Sequence, residues 1–475
     1  MLSFLVLLPL CLSLDIPSPA SLSSSLSQIS GSYADFRARL AGREAAGEDG
    51  ELALFKELRR WRADHECPSH NVGEEEVDRS AEAASCRDFG LMPDAVEDRA
   101  RVSAGRTLYA SPYPVSQVTS VRYNATATVL RWSQKDGVTV NVTFSVAGTG
   151  FDGTAILPAR CEPYTVLEYH SPPLCHATLV WPAAAVGTID VVFAEAASGY
   201  QVSLPIKVGS STRLLVVGDI GSTATSASVC TGMAAAHAAS PADGLIIAGD
   251  LSYANDNLTV WDQWVDETLN ATALPTLVPG PGNHEMKDLM ISYRARFGRT
   301  YYSADLLGGR VHVIALNAQE LLFTHVQDQY RFLKADLAHV DPSAFVVAFW
   351  HEPWYCSNTV HRNSAWLMKE EYEKLLGSRA DLVVQGHVHA YQRTLPVYED
   401  KTGTGPIYLT VGTGGNHEGL YSNWVTPDPS WDAAHTAEYG FGTLDLVNAT
   451  TLHWRFWNPS MSTVMDEAFV PKRQL

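Results

Sequence analysis

The chain has 475 residues, enough for two or three structural units rather than a single core. Its composition, 46% hydrophobic and 18% charged, is that of a well-buried globular protein. With 34 basic against 52 acidic side chains the formal net charge is −18, which repels polyphosphate backbones and argues against a nucleic-acid partner. A phosphate ester could bind such a surface only where local positive charge, such as a metal, overrides the field.

Residues 1–20 carry an apolar run, Leu2 to Leu14, too short to span a bilayer but suited to a secretory signal. No Lys or Arg precedes it, and small residues near Ser13 and Ala20 both offer cleavage sites. Residues 21–110 are rich in Ala, Arg and Glu, with stretches such as ELALFKELRRWRA, and read as a helical or partly disordered segment without a catalytic constellation. Between 111 and 210, VTSVRY, ATVLRW, VTVNVTFSV and TIDVVFA alternate with period two, which predicts a small all-β sandwich. From 211 to 460, apolar strands (RLLVV, LIIA, VHVIALN, FVVAFW, LVVQ, IYLTV) alternate with helical stretches such as TSASVCTGMAAAHAA and QDQYRFLKADLAHV. That rhythm predicts an α/β catalytic domain with helices flanking its sheets. Residues 461–475 read as a tail, and no later stretch is apolar enough for a membrane anchor.

Six of the seven cysteines follow the signal, an even number that favours disulfides in a secreted protein. Local pairing is expected for Cys67 with Cys86 and Cys161 with Cys175, and buried thiols for Cys230 and Cys356. Five Asn-x-Ser/Thr sequons, at Asn124, Asn141, Asn257, Asn270 and Asn448, agree with a secreted glycoprotein.

The chemistry lies directly behind five of the apolar strands. RLLVV ends in Gly218-Asp219-Ile220-Gly221, LIIA in Gly249-Asp250-Leu251-Ser252-Tyr253, and TLVPGP leads into Gly282-Asn283-His284-Glu285. FVVAFW ends in His351 and LVVQ in Gly386-His387-Val388-His389. Ligands of α/β sheets bind beyond the carboxyl ends of strands, where all five clusters fall. Asp219, Asp250 and Tyr253 are hard oxygen ligands suited to Fe(III); Asn283, His351 and His387 suit a divalent partner. One carboxylate can bridge two metals ~3.5–4 Å apart, the separation used in phosphoryl hydrolysis.

In this order the five blocks resemble the metallophosphoesterase family, and Tyr253 narrows the resemblance to purple acid phosphatases. The segments Val411–Gly419 and Tyr439–Leu444 are similar to the tail signature of the large plant and fungal members. YHSPPLCHATLVW, at 169–181, is similar to their fibronectin type III-like domain, which places that domain at 111–210. The resemblance implies a metallophosphoesterase β-sandwich flanked by helices. It implies that Asp219, Asp250, Tyr253 and His389 hold Fe(III), while Asp250, Asn283, His351 and His387 hold Zn, Mn or Fe. His284 and His361 would then contact substrate or orient a ligand, and both roles stay open. The activity implied is acid hydrolysis of phosphate monoesters by a metal-bound hydroxide at a dinuclear Fe(III)–M(II) centre. A charged histidine, titrating near pH ~6.5 when unperturbed, would serve the leaving group. The expected setting is secreted, extracellular or in the vacuole or lysosome. Small phosphate esters are the expected partners, and a homodimer is permitted.

Four departures stand out: Val360 before His361 where a second histidine is usual, Gln392 for Glu, Phe441 for His, and His435-Thr436 for Arg-Glu. They bear on specificity, phytate above all. Two alternatives are a phosphodiesterase or nucleotide pyrophosphatase on the same metals, and a non-catalytic extracellular binding protein. His237, His312, His417, His435 and His453 are expected to be structural.

Overall fold

Strands that are apolar at every position must be covered on both faces, and the short runs behind the motifs are. In the computed structural model, residues 111 and 113–473 are described, apart from 125–126, 147–159, 167–168, 182–185, 196, 210, 256, 270–275, 320–325 and 362–363. The expectations for the signal, for 21–110 and for Cys67 with Cys86 lie outside the described residues. The site and both sheets around it belong to one compact unit, Pro93–Gln319 with Asp328–Leu475.

Arg213–Val217, Ala242–Ala248 and Leu277–Gly280 run parallel in a ten-stranded sheet. Val311–Ala315, Phe345–Phe349, Leu382–Gln385 and Ile407–Val411 run parallel in a seven-stranded one. Alternation then sorts the side chains. Leu214, Val216, Ile246 and Ala248 meet Val313, Val347, Phe349, Val384 and Leu409 in the core between the sheets. Leu215, Val217, Leu245 and Ile247 face the other way, among residues of the helical segments Ala224–Ala239 and Thr259–Leu269, including Val229, Met233, Trp261 and Trp264. The helix Ala224–Ala239 starts on a capping box, Thr223 with Ser226, and Thr223 Oγ1 also donates to Gly415 O. The helix is thereby tied to the glycine-rich loop beside the site.

The small sandwich forms, and one of its sheets is shared. Val115–Asn124, Ala127–Gln134, Leu174–Val180 and Arg160–Glu162 extend the ten-stranded sheet, joined to it at Val121 opposite Leu277. Val140–Val146, Gly187–Glu195 and Gln201–Val208 form a separate three-stranded sheet, and residues of both sheets, Trp132, Ile189, Val191 and Phe193 among them, share one core. Cys161 and Cys175 are cross-strand partners and are disulfide-bonded. Cys230 and Cys356 are buried thiols, and burial pushes the Cys230 thiol up to about 12. Residues 461–475 are more than a tail: Val464–Pro471 is a strand at the edge of the ten-stranded sheet, paired with Thr451–Trp457. Its residues are mostly exposed or half-buried, so it lacks the apolar run that marks the strands behind the motifs.

One ion cluster is expected to make stability pH-dependent. His312 sits between Asp305, its cross-strand partner (Nδ1–Oδ1 2.7 Å), and Asp336 (Nε2–Oδ2 2.8 Å). Burial disfavours the charged ring, but hydrogen bonds to both carboxylates outweigh it and push His312 up to about 9. A folded pKa above the unfolded ~6.5 stabilises fully below that value and is lost as pH rises through about 9. His312→Gln is therefore expected to cost up to about 3 kcal/mol at pH 6 and much less near pH 10. Parallel pH slopes of thermal stability in the two proteins would refute this.

Candidate metal centre

The loops behind the strands turn sharply, and the cost is visible in the backbone. Asp219 (φ 59°), Asp250 (50°), Tyr253 (56°), His387 (67°) and His361 (55°) all lie in the left-handed region. Each costs about 1–2 kcal/mol for a non-glycine residue, a strain held only where surrounding contacts impose it. Two glycines make room. A Cβ on Gly249 (φ 85°) would stand 2.3 Å from His351 Nδ1, and one on Gly282 would stand 2.2 Å from Asp250 Oδ1.

All seven expected ligand residues come to one place. Asp219, Asp250, His351, His387 and His389 are buried, as is Tyr253, and Asn283 is half-buried. His351 Nε2 lies 2.9 Å from Asp250 Oδ2 and 3.1 Å from Asn283 Oδ1, and 3.9 Å from Asp219 Oδ1. His387 joins Asp250 and His351 in a group whose ligand atoms all lie within 4.8 Å of one another. Beside it, the Tyr253 hydroxyl lies 3.1 Å from Asp219 Oδ1 and 3.0 Å from His389 Nε2. The His387 backbone N–H donates to Asp219 Oδ2 (2.9 Å), fixing that carboxylate.

The donor set fits metal ions, because two rings are committed to one tautomer. His351 Nδ1 donates to Ala248 O (2.8 Å) and His389 Nδ1 to Gly419 O (3.0 Å). In the neutral rings both Nε2 lone pairs then face oxygen acceptors, an arrangement that calls for a cation between them. The electrostatics agree. Burial disfavours charge on His351, yet Asp250 and Asp219 hold it well above the usual histidine range. Burial likewise opposes charge on Asp250, but His351 and His284 hold its carboxyl well below the carboxylate range. Burial, Asp219 and Asp250 together push the Tyr253 phenol well above 10. A phenolate there requires a strongly charged cation.

The two remaining histidines border this group. His284 lies ring-to-ring 4.1 Å from Tyr253, its Nδ1 is 2.5 Å from Asn255 Oδ1, and its Nε2 is 3.8 Å from Asp250 Oδ2. The His361 ring is 4.5 Å from that of His387. Sequence reasoning assigned no role to Glu285, Glu418 or Tyr421. Buried Glu285 accepts from the N–H groups of Asp250, Leu251 and Gly282 (3.0, 3.0 and 2.8 Å), tying two ligand loops together. Burial and the nearby Asp250 carboxylate push it up to about 8. Glu418 Oε1 lies 3.5 Å from His284 Nε2, and Tyr421 stacks on His389 at 4.6 Å. Glu285 and Glu418 both sit inside quoted motifs, which was the available signal.

A double-sheet α/β fold with this cluster at its strand ends defines a metallophosphoesterase, and residues 212–391 match the family described as calcineurin-like phosphoesterase. Residues 405–467 match the family described as iron/zinc purple acid phosphatase-like protein C. The chain is 32% identical over 348 residues to purple acid phosphatase 22 of Arabidopsis thaliana, covering 67% of this chain and 76% of that protein. It therefore belongs to the purple acid phosphatase family. Purple acid phosphatase 18 of the same plant is 34% identical over 229 residues, and there the match spans about half of each chain, 44% and 52%. A solved purple acid phosphatase from yellow lupin (Lupinus luteus) seeds shares the fold with TM-score 0.64 at 17% identity, covering 76% of this chain and 75% of that one.

Proposed function

We propose that this chain is an acid phosphatase that hydrolyses phosphate monoesters at a dinuclear metal centre. The observation that carries the reading is the convergence of histidine lone pairs and buried oxygens from five strand-end loops on one locus. Asp219, Asp250, Tyr253 and His389 would hold a ferric ion, and Asp250, Asn283, His351 and His387 a divalent one, zinc, manganese or iron. Bound there, the two ions supply Lewis-acid polarisation of the phosphoryl group and make water a nucleophile in acid. Asp250 accepts the His284 backbone N–H through Oδ1 (2.9 Å) while Oδ2 faces His351, so one carboxylate orients both. His284 holds its Nδ1 on Asn255 Oδ1 and presents Nε2 beside the cluster. In its charged form it can give its Nε2 proton to the departing alkoxide. His361, beside His387, would contact the phosphate or the alcohol.

Secretion and glycosylation belong to the same reading, supported by the exposed sequon asparagines Asn141, Asn257 and Asn448. Among the described residues no helix is long and apolar enough to cross a membrane. Residues 111–210 serve as an accessory sandwich in this reading, and 211–460 as the catalytic region.

The test is steady-state hydrolysis of a phosphate monoester and a diester by the wild type and His284→Ala, with metal content measured on both. The monoester should be preferred. His284→Ala should lose about 10²-fold in kcat, the low end of general acid–base contributions, with both metals retained. A diester preference would move the protein to the phosphodiesterase reading, and metal loss in the variant would make His284 an orienting residue.

A further inference from the structure

We propose that Asp428, Asp432 and His435 form a further cation site, for a divalent ion of the zinc class, away from the dinuclear cluster. The three residues offer ligand atoms that all lie within 4.8 Å of one another. Such clusters are common on surfaces, but this one has a buried, unbalanced member. The Asp432 side chain is only 2% exposed. Its Oδ2 accepts from Ser357 Oγ (2.5 Å) and Gln392 Nε2 (2.7 Å) and stands 3.0 Å from His435 Nδ1, which can ligate beside it when the ring proton is on Nε2. Its Oδ1 is closed off from water and has no hydrogen-bond partner among the described residues. An unsatisfied buried oxygen costs about 1–3 kcal/mol, and more when charged. A cation on Oδ1 removes that cost and screens Asp428 from Asp432. Two carboxylates and an imidazole suit zinc, whereas calcium takes oxygen ligands.

The neighbourhood is built to hold the histidine. His435 stacks on Trp424 at 4.1 Å and is the cross-strand partner of Gln392. Two of the departures from the family pattern, Gln392 and His435, therefore face each other across one strand pair. The amide of Gln392 adds no charge beside Asp432, and imidazole is a metal ligand where Arg could not be one.

The ion would act as a buttress. Ser357 precedes His361 by four residues; its N–H donates to Gln392 Oε1 (3.0 Å) and its hydroxyl to Asp432. A cation on Asp432 fixes the strand Asp432–Thr436 against the loop that carries His361.

The experiment dialyses the full chain and two variants, Asp428→Asn and His435→Gln, against the same free zinc, then measures total metal per chain. Circular dichroism confirms folding, which the exposed position of Asp428 protects in the first variant. The wild type should hold one zinc equivalent more than either variant, and zinc should raise its Tm more than theirs. Because the reading is a difference between proteins with the same dinuclear residues, it stands or falls independently of that centre. Equal zinc content in all three proteins overturns the proposal. So does a difference seen with calcium alone, which would exclude imidazole as a ligand.

Discussion

Asp250→Asn is expected to abolish metal retention and to lower monoester turnover by more than 10³-fold. Weakening a residue that merely orients a ligand costs about 10–100-fold; Asp250 stands closer to the chemistry than that. Its carboxylate is buried, with Oδ2 2.9 Å from His351 Nε2 and Oδ1 on the His284 N–H. Asparagine keeps the volume and can keep one hydrogen bond, but removes the negative charge that both proposed metal sites share. It also places an amide donor or a neutral oxygen where a cation is to bind. The strained φ of 50° and the Glu285 tether on the Asp250 N–H are backbone features that asparagine tolerates, so the fold should survive. Metal content and kcat, measured on the same folded preparations, decide it. An Asp250→Asn protein with two metals and near-normal turnover would remove Asp250 from the ligand set.

The second large effect is spectroscopic. The purified protein is expected to be pink to purple, and Tyr253→Phe to be colourless. In the metal-free environment burial and the carboxylates of Asp219 and Asp250 hold the Tyr253 phenol protonated, far above pH 10. A trivalent ion at bonding distance would reverse that balance and yield a phenolate that donates charge into the metal and absorbs visible light. Phenylalanine preserves the ring that packs 4.1 Å from His284 and loses only the hydroxyl between Asp219 and His389. Metal should bind more weakly in the variant, through Asp219, Asp250 and the histidines. The check is the visible spectrum with iron content, on wild type and variant. A colourless wild type carrying a full complement of metal and no iron would end the ferric assignment and leave the two-metal hydrolase intact.

The candidate ligands were legible in the sequence because each is encoded locally. An apolar strand needs cover on both faces, its carboxyl end must open onto a loop, and Gly249-Asp250 or Gly386-His387 announces that loop in two residues. The disulfide between Cys161 and Cys175 was likewise within reach of a local argument, since they are neighbours on adjoining strands. What tertiary structure decided are relations between segments far apart in the chain. The pairing of Val121 with Leu277, which merges a sheet of the small sandwich with the large sheet, leaves no local trace, because either strand could pair with other partners. The strand Val464–Pro471 pairs locally, with Thr451–Trp457 just before it, but its mostly exposed or half-buried residues lack the apolar run that marks the other strands. Glu285 was visible as a letter in a motif, but its function as a tether depends on N–H groups 34 and 35 residues away. Asp432 has no motif at all: its unbalanced carboxylate exists only because Ser357, Gln392 and His435 all approach the same oxygen. Residue type and local periodicity determine which chemistry a segment can offer. Which oxygens are left without donors is determined by packing, because burial removes the water that would otherwise supply them.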